Sequence, residues 1–198
     1  MTEQEIDNHR HTGTDSQRVS YNDLLDKPTA GAWEVIHEVK LTTTGTTLID
    51  TSDIGSISTD YDLFRITIHA IAGASAVIPY IEFNGDTGTN YDFIRTRDAA
   101  AVARNVDTAA SNILLQYGTL AAGETGTYAY TIGKSASDKH AKVIGHVSYY
   151  DLDLSSIARS DVAGTWRNTS SKITRIVIAT TANQFGANST ALIEGYKG

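Results

Sequence analysis

The sequence has no cysteine, one methionine and only two prolines, Pro28 and Pro79. Without cysteine there is no disulfide, zinc–thiolate site, iron–sulfur cluster or thiol nucleophile, so stability has to come from burial or assembly. Basic residues are in the minority: 16 Lys+Arg against 23 Asp+Glu give a formal charge of -7. That balance disfavours non-specific nucleic-acid binding, which depends on neutralising phosphates. No run approaches the roughly 20 apolar residues of a membrane span. The opening MTEQEIDNHRH lacks the apolar stretch of a signal peptide, so the sequence predicts a soluble protein without membrane insertion. Long helical periodicity is missing too. With 198 residues, 40% of them hydrophobic and 20% charged, the chain suits one folded domain, or one domain with an arm.

What is abundant is threonine and glycine, with isoleucine, valine and tyrosine in short alternating runs. These residues favour pleated, half-buried surfaces, and glycine punctuates turns. In Tyr61–Ile71 the residues Leu63, Arg65, Thr67 and His69 point one way, and Phe64, Ile66, Ile68 and Ala70 the other. Val77–Phe83 is a second run, with Pro79 marking an edge or a strand start. Asn84-Gly-Asp-Thr-Gly88 is a turn cluster, and Tyr91–Arg97 resumes a strand. Further strands are expected at Trp33–Leu41, Ile113–Tyr117, Thr127–Ile132, Val143–Leu152, Ile173–Thr180 and Thr190–Tyr196. Eight or nine strands suffice for two packed sheets. The Ala-rich stretch Asp98–Ala110 is read as a short helix or a long loop, the loop being favoured because its neighbours are strands and its apolar residues are small. Residues 1–30 are polar and poor in core residues, so they form either a tail or an arm ordered by other chains.

Side-chain chemistry is sparse. His9 and His11 lie on the same side of an extended chain. They are either two solvated histidines or half of a metal shell. Three copies of the pair around a three-fold axis would give six nitrogens to one ion. Asp86, Asn90 and Asp92 offer oxygens, but no full calcium-loop pattern follows them, and Asn and Asp beside Gly are what a tight hairpin needs. Gly-x-Ser-x-Gly and His-Glu-x-x-His are absent. Gly133-Lys134-Ser135 lacks the upstream glycine of a phosphate loop. Asp151 and Asp153 are a carboxylate pair of the kind that cleaves glycosides, or simply the exposed end of a strand. Tyr149, Tyr150 and Trp166 are the candidate sugar-stacking platform. About half of the aromatics of a sandwich face its core instead.

Three stretches carry a resemblance. His9-Arg-His11-Thr-Gly13-Thr-Asp15, followed by Tyr21-Asn-Asp23-Leu24-Leu25-Asp-Lys27-Pro28, resembles a segment of bacteriophage tail-fibre and other virion appendage proteins that precedes a β-rich domain. Phe83-Asn-Gly-Asp86-Thr-Gly88-Thr-Asn90-Tyr91 is similar to a hairpin of phage appendage sandwich domains. Ala187–Lys197 is similar to their closing strand. The resemblance implies a homotrimer in the virion, made in the bacterial cytoplasm, with an iron-like ion held by His9 and His11 on the three-fold axis.

The combined reading is an all-β fold: an extended arm over 1–30, attaching to other virion proteins, and an antiparallel jelly-roll-like β-sandwich over 31–198. Its expected function is that of a phage virion structural protein, a tail fibre, spike or decoration subunit. It would contact the host surface or a host glycan through loops near 98–110, 119–126 and 153–161, and would not be an enzyme. The rivals are a monomeric carbohydrate-binding module, a collar or capsid decoration protein without a receptor, and a glycan hydrolase using Asp151 or Asp153.

Overall fold

The structure, a computed structural model, describes residues 32–98, 102–133, 139–151 and 156–197. The chain divides between Ala32 and Trp33, and the domain described starts at Trp33. The arm over 1–30 lies outside the described residues.

Among the described residues the regular structure is almost entirely strand, with one short 3-10 turn at Thr51–Ile54: β1 (Trp33–Lys40), β2 (Thr47–Asp50), β3 (Leu63–Ile71), β4 (Pro79–Phe83), β5 (Tyr91–Asp98), β6 (Ala103–Ala110), β7 (Ile113–Leu114), β8 (Thr125–Gly133), β9 (Ala141–Asp151), β10 (Ser156–Trp166), β11 (Ile176–Thr180) and β12 (Thr190–Tyr196). One sheet has the order β1-β12-β3-β8-β9-β10-β5-β6, the other β2-β11-β4-β7. All strand pairs are antiparallel. The expected sandwich is present.

The winding follows from which strands neighbour each other. β1 lies beside β12, β3 beside β8, β2 beside β11 and β4 beside β7. This nesting of outer strands around inner ones, split over two sheets, is the jelly roll. Two hairpins are added to it. β5–β6 is inserted between β4 and β7, and β9–β10 between β8 and β11. Both join the larger sheet on its β8 side.

The core sits between the sheets. β3 alternates as its sequence requires, with Phe64, Ile66, Ile68 and Ala70 buried. β11 is buried throughout, as a central strand of the smaller sheet must be. Three tyrosines on the inner faces of β8 and β9 fasten the β7–β8 connection to the larger sheet. Tyr128 donates to Gln116 Oε1, Tyr130 to the Leu115 carbonyl, and Tyr149 to the Tyr117 carbonyl at 2.9 Å. Burial pushes the Tyr128 and Tyr130 phenols well up, so they stay protonated donors.

Two expectations need correction. Asp98–Ala110 is not a loop: β5 runs to Asp98 and β6 spans Ala103–Ala110, paired with β5 from Arg97↔Ala103 to Tyr91↔Ala110 across a bulge. Likewise most of 153–161 belongs to β10. Both strands dilute their Val and Thr with Ala and charged residues, whose intrinsic strand preference is low. Cross-strand pairing decides here, because strand propensity depends on what a residue packs against.

β2 is short, and an ion pair reinforces it. Asp50 accepts from Arg175 Nε at 2.9 Å and Nη2 at 2.6 Å. That hydrogen bond holds the Asp50 carboxyl far below the usual carboxylate range. The stabilisation is therefore present above the unfolded carboxylate pKa of about 4 and is lost as pH falls through the lower folded value. Arg175→Ala is expected to lower stability at neutral and alkaline pH, where the pair is fully formed, and so to move acid unfolding to higher pH, with the difference from the wild type vanishing at the lowest pH. The loss is about 1 kcal/mol or less, since Arg175 is partly exposed. Circular dichroism during an acid titration reads this, and identical acid midpoints would refute it.

Candidate functional site

The two ends of the sandwich differ. At one end Trp33 pairs with Tyr196, Tyr196 with Leu63, Leu63 with Gly133 and Gly133 with Lys142. The chain enters the domain there. The opposite end carries the connections 41–46, 72–78, 115–124 and 181–189, and β5, β6, β9 and β10 also run out towards it.

These distal connections are tied to one another by backbone. Gly45 and Phe185 exchange hydrogen bonds at 3.1 and 2.8 Å, Val77 and Leu120 do so at 2.9 Å, and Gly73 N–H donates to the Gln184 carbonyl at 2.9 Å. Phe185 is fully buried and anchors the group. Asn183 takes a left-handed conformation with φ 65, which asparagine tolerates better than most residues. Its Nδ2 donates to the Ala76 carbonyl at 2.7 Å. The result is a shallow cleft of about 230 Å³ lined by Ala74, Ser75, Asn183 and Gln184. Its polar groups are uncharged hydroxyl, amide and backbone groups, which suit a hydroxyl-bearing ligand.

A second concavity lies on the outer face of the added strands. Two adjoining grooves of about 570 and 490 Å³ share Ile94, Ile144 and Ala163 as their floor, with Arg104, Lys142, Asp92 and Asp161 around them. No tyrosine or tryptophan lines either groove; Phe93 and His146 are the ring-bearing residues among the lining, and Phe93 is buried.

The sugar platform does not assemble. Tyr149 is buried on the inner face of β9. Trp166 is fully buried, its ring 5.6 Å from that of Phe83 and its Nε1 donating to Asp86 Oδ2 at 2.7 Å. Tyr150 alone of the three is exposed, on the outer face. A ring enclosed by the core cannot stack on a pyranose, so Tyr149 and Trp166 are packing residues.

The oxygens of the Asn84–Tyr91 hairpin are used internally. Asp86 accepts from Gly88 N–H at 3.0 Å, from Asn90 Nδ2 and from Trp166. Burial pushes its carboxyl up, but the hydrogen bonds from Trp166, Asn90 and Gly88 outweigh this and hold it below its ordinary value. Asp92 accepts from Ala109 N–H at 2.8 Å and lies 3.3 Å from Arg167 Nε. The cluster is a turn lock, as glycine-flanked Asn and Asp suggest. Asp151 ends β9 opposite Ser156; Asp153, His9 and His11 lie outside the described residues. Among the described residues, no group of three or more His, Cys, Asp or Glu side chains is placed to hold a metal ion.

Sequence reasoning missed both concavities. The sheet groove does have a signal. Phe93-Ile94, Val143-Ile144 and Tyr149-Tyr150 are adjacent apolar pairs, which strict alternation would not give, so both faces of those strands carry apolar groups. The distal cleft has none, because backbone pairing of distant connections creates it. The chain matches no protein-family model, no curated protein and no solved structure.

Proposed function

We propose that the chain is a structural subunit of a bacteriophage virion appendage, a tail fibre, spike or decoration protein. It would assemble as a homotrimer, attach to other virion proteins through residues 1–30, and present its distal loops to a glycan on the host surface. One observation carries the reading: the His9–Pro28 segment that resembles those of phage appendage proteins precedes a jelly-roll domain. The domain adds a polarity. Its polar cleft is at the end of the sandwich opposite Trp33. Recognition by loops on a rigid scaffold is the usual arrangement in such folds. The binding-module rival called for a stacked aromatic strip, and Tyr149 and Trp166 are buried. By resemblance, His9 and His11 would hold an iron-like ion on the trimer axis.

Light scattering with metal analysis on the same peak tests the assembly. A mass of three times 21.3 kDa with one metal ion per three chains is expected; a monomer would refute the trimer. Host contact has its own test. Ser75→Arg, which fills the distal cleft, is expected to lower binding of the labelled protein to host cells about tenfold, equivalent to about 1.4 kcal/mol, with unchanged thermal unfolding. Equal binding by both proteins would remove the cleft from recognition.

A further inference from the structure

The outer face of the eight-stranded sheet changes character at β9. A single cross-strand row crosses it. On the jelly-roll strands the row reads Val35, Glu194, Arg65, Thr131, with Arg65 and Glu194 paired at 2.7 Å and Val35 exposed on the edge strand. On the added strands it continues as Ile144, Ala163, Ile94, Val106. Ile144 is 64% exposed and Val106 55%. Farther along the same face Tyr150 and Ile157 stand opposite each other, 47% and 78% exposed. An antiparallel sheet face in water is ordinarily polar. Here an exposed apolar row crosses four strands between rows that carry Lys142 and Asp92 on one side and His146, Asp161 and Arg104 on the other. An apolar centre with a polar rim is the pattern of a binding surface.

We propose that this face is where copies of the chain meet. Charge argues for a second copy as the occupant. The chain carries a net charge of -7, which keeps copies apart. On the outer positions of β5, β6, β9 and β10, however, Lys142, Arg104 and Arg159 are matched by Asp92, Asp98 and Asp161. The face is neutral when His146 is neutral, so it is a place where two copies do not repel. The two signs also sit side by side, with Arg159 2.8 Å from Asp161, so each can meet its opposite on a facing copy. The groove floor is aliphatic and suits another protein surface better than a sugar ring.

The inference rests on the oligomeric reading above and names the surface that reading left open. The test uses the full chain. Ile144→Glu buries an unpaired charge in the interface and is expected to weaken association about 100-fold or more, bringing the mass down towards 21.3 kDa. Its own fold should persist, because Ile144 is solvent-exposed. Val35→Glu, at the jelly-roll end of the same row, is expected to leave the mass unchanged. The second readout uses the absence of native thiols. The thiol introduced by Ala163→Cys should react with a maleimide about tenfold more slowly in the oligomer than in the Ile144→Glu background, since interface cores exclude water. An oligomer whose mass survives Ile144→Glu, and whose introduced thiol reacts equally fast in both backgrounds, would overturn this inference and leave a trimer held by residues 1–30 intact. A wild-type monomer would overturn both readings. Binding of a host glycan that Ile144→Glu abolishes without changing the mass would overturn it too, and assign the face to the glycan instead.

Discussion

Replacing Trp166 by alanine is expected to destabilise the domain by about 3–5 kcal/mol, the usual range for a large buried aromatic. Three physical losses coincide at this position. The indole is fully buried, so its removal leaves a cavity that antiparallel strands on either side cannot easily close. Its ring contact with Phe83, which also lies 6.3 Å from Tyr91, is lost with it. Its Nε1 donor to Asp86 disappears, leaving a carboxylate that burial already disfavours with fewer partners. Natural domains hold about 5–15 kcal/mol in total, so the variant should melt far below the wild type. Trp166→Phe separates the contributions. It keeps most of the apolar volume, loses the donor and part of the ring, and should cost about 1–2 kcal/mol. Denaturant unfolding followed by circular dichroism reads both. A near-neutral Trp166→Ala would mean that the ring faces solvent, and would restore it as a ligand residue.

Trp166 also shows why the fold was easier to read than the site. Alternation in Leu63–Ile71 identifies both faces of β3 correctly, because the buried residues are large and the exposed ones polar. The same reasoning fails for β6 and β10. Their inward positions include Ala103, Ala158, Ser160 and Gly164, which have little hydrophobic contrast with their neighbours. At Gly164 the reason is spatial: a Cβ there would come within 2.8 Å of Ile113 Cδ1 and 3.2 Å of Phe93 Cβ. The missed strands are the ones that widen the larger sheet. Their outer face carries the candidate interface, so failing to see them concealed it. Aromatic identity was visible and its direction was not. Tyr149 and Tyr150 are adjacent and point to opposite faces, so the choice between core and surface depends on strand register. Register is set by pairing with other strands, which places Tyr149 opposite Gly126 on one side and Ala158 on the other.

The second large effect is expected at Asn84. This residue has φ 55, a left-handed conformation that costs most side chains about 1–2 kcal/mol and that asparagine accepts more readily. Its side chain joins the β4–β5 turn to the segment leading into β11. Nδ2 donates to the Lys172 carbonyl at 2.8 Å, while Oδ1 accepts from the backbone N–H groups of Thr174 at 2.8 Å and Arg175 at 3.0 Å. Asn84→Ala removes these bonds, together with one from the Thr174 hydroxyl at 3.3 Å, and retains a Cβ in the left-handed region. A loss of about 2–4 kcal/mol is expected. Asn84→Gly relieves the backbone and not the bonds. Asn84→Asp keeps the acceptor for Thr174 and Arg175 and loses the donor to Lys172. The order of stability should therefore be Asn, Asp, Gly, Ala. Gly at or above Asn would show that only the turn conformation matters. The same hairpin answers the calcium question. The Asp86 oxygens already accept from Gly88, Asn90 and Trp166, so a cation would have to displace bonds that hold the turn. Adding calcium should leave the melting temperature of the wild type and of Asn84→Ala unchanged. A rise in the wild type alone would mean that the turn-locking oxygens are also metal ligands, since a ligand bound only by the folded state raises its stability by mass action.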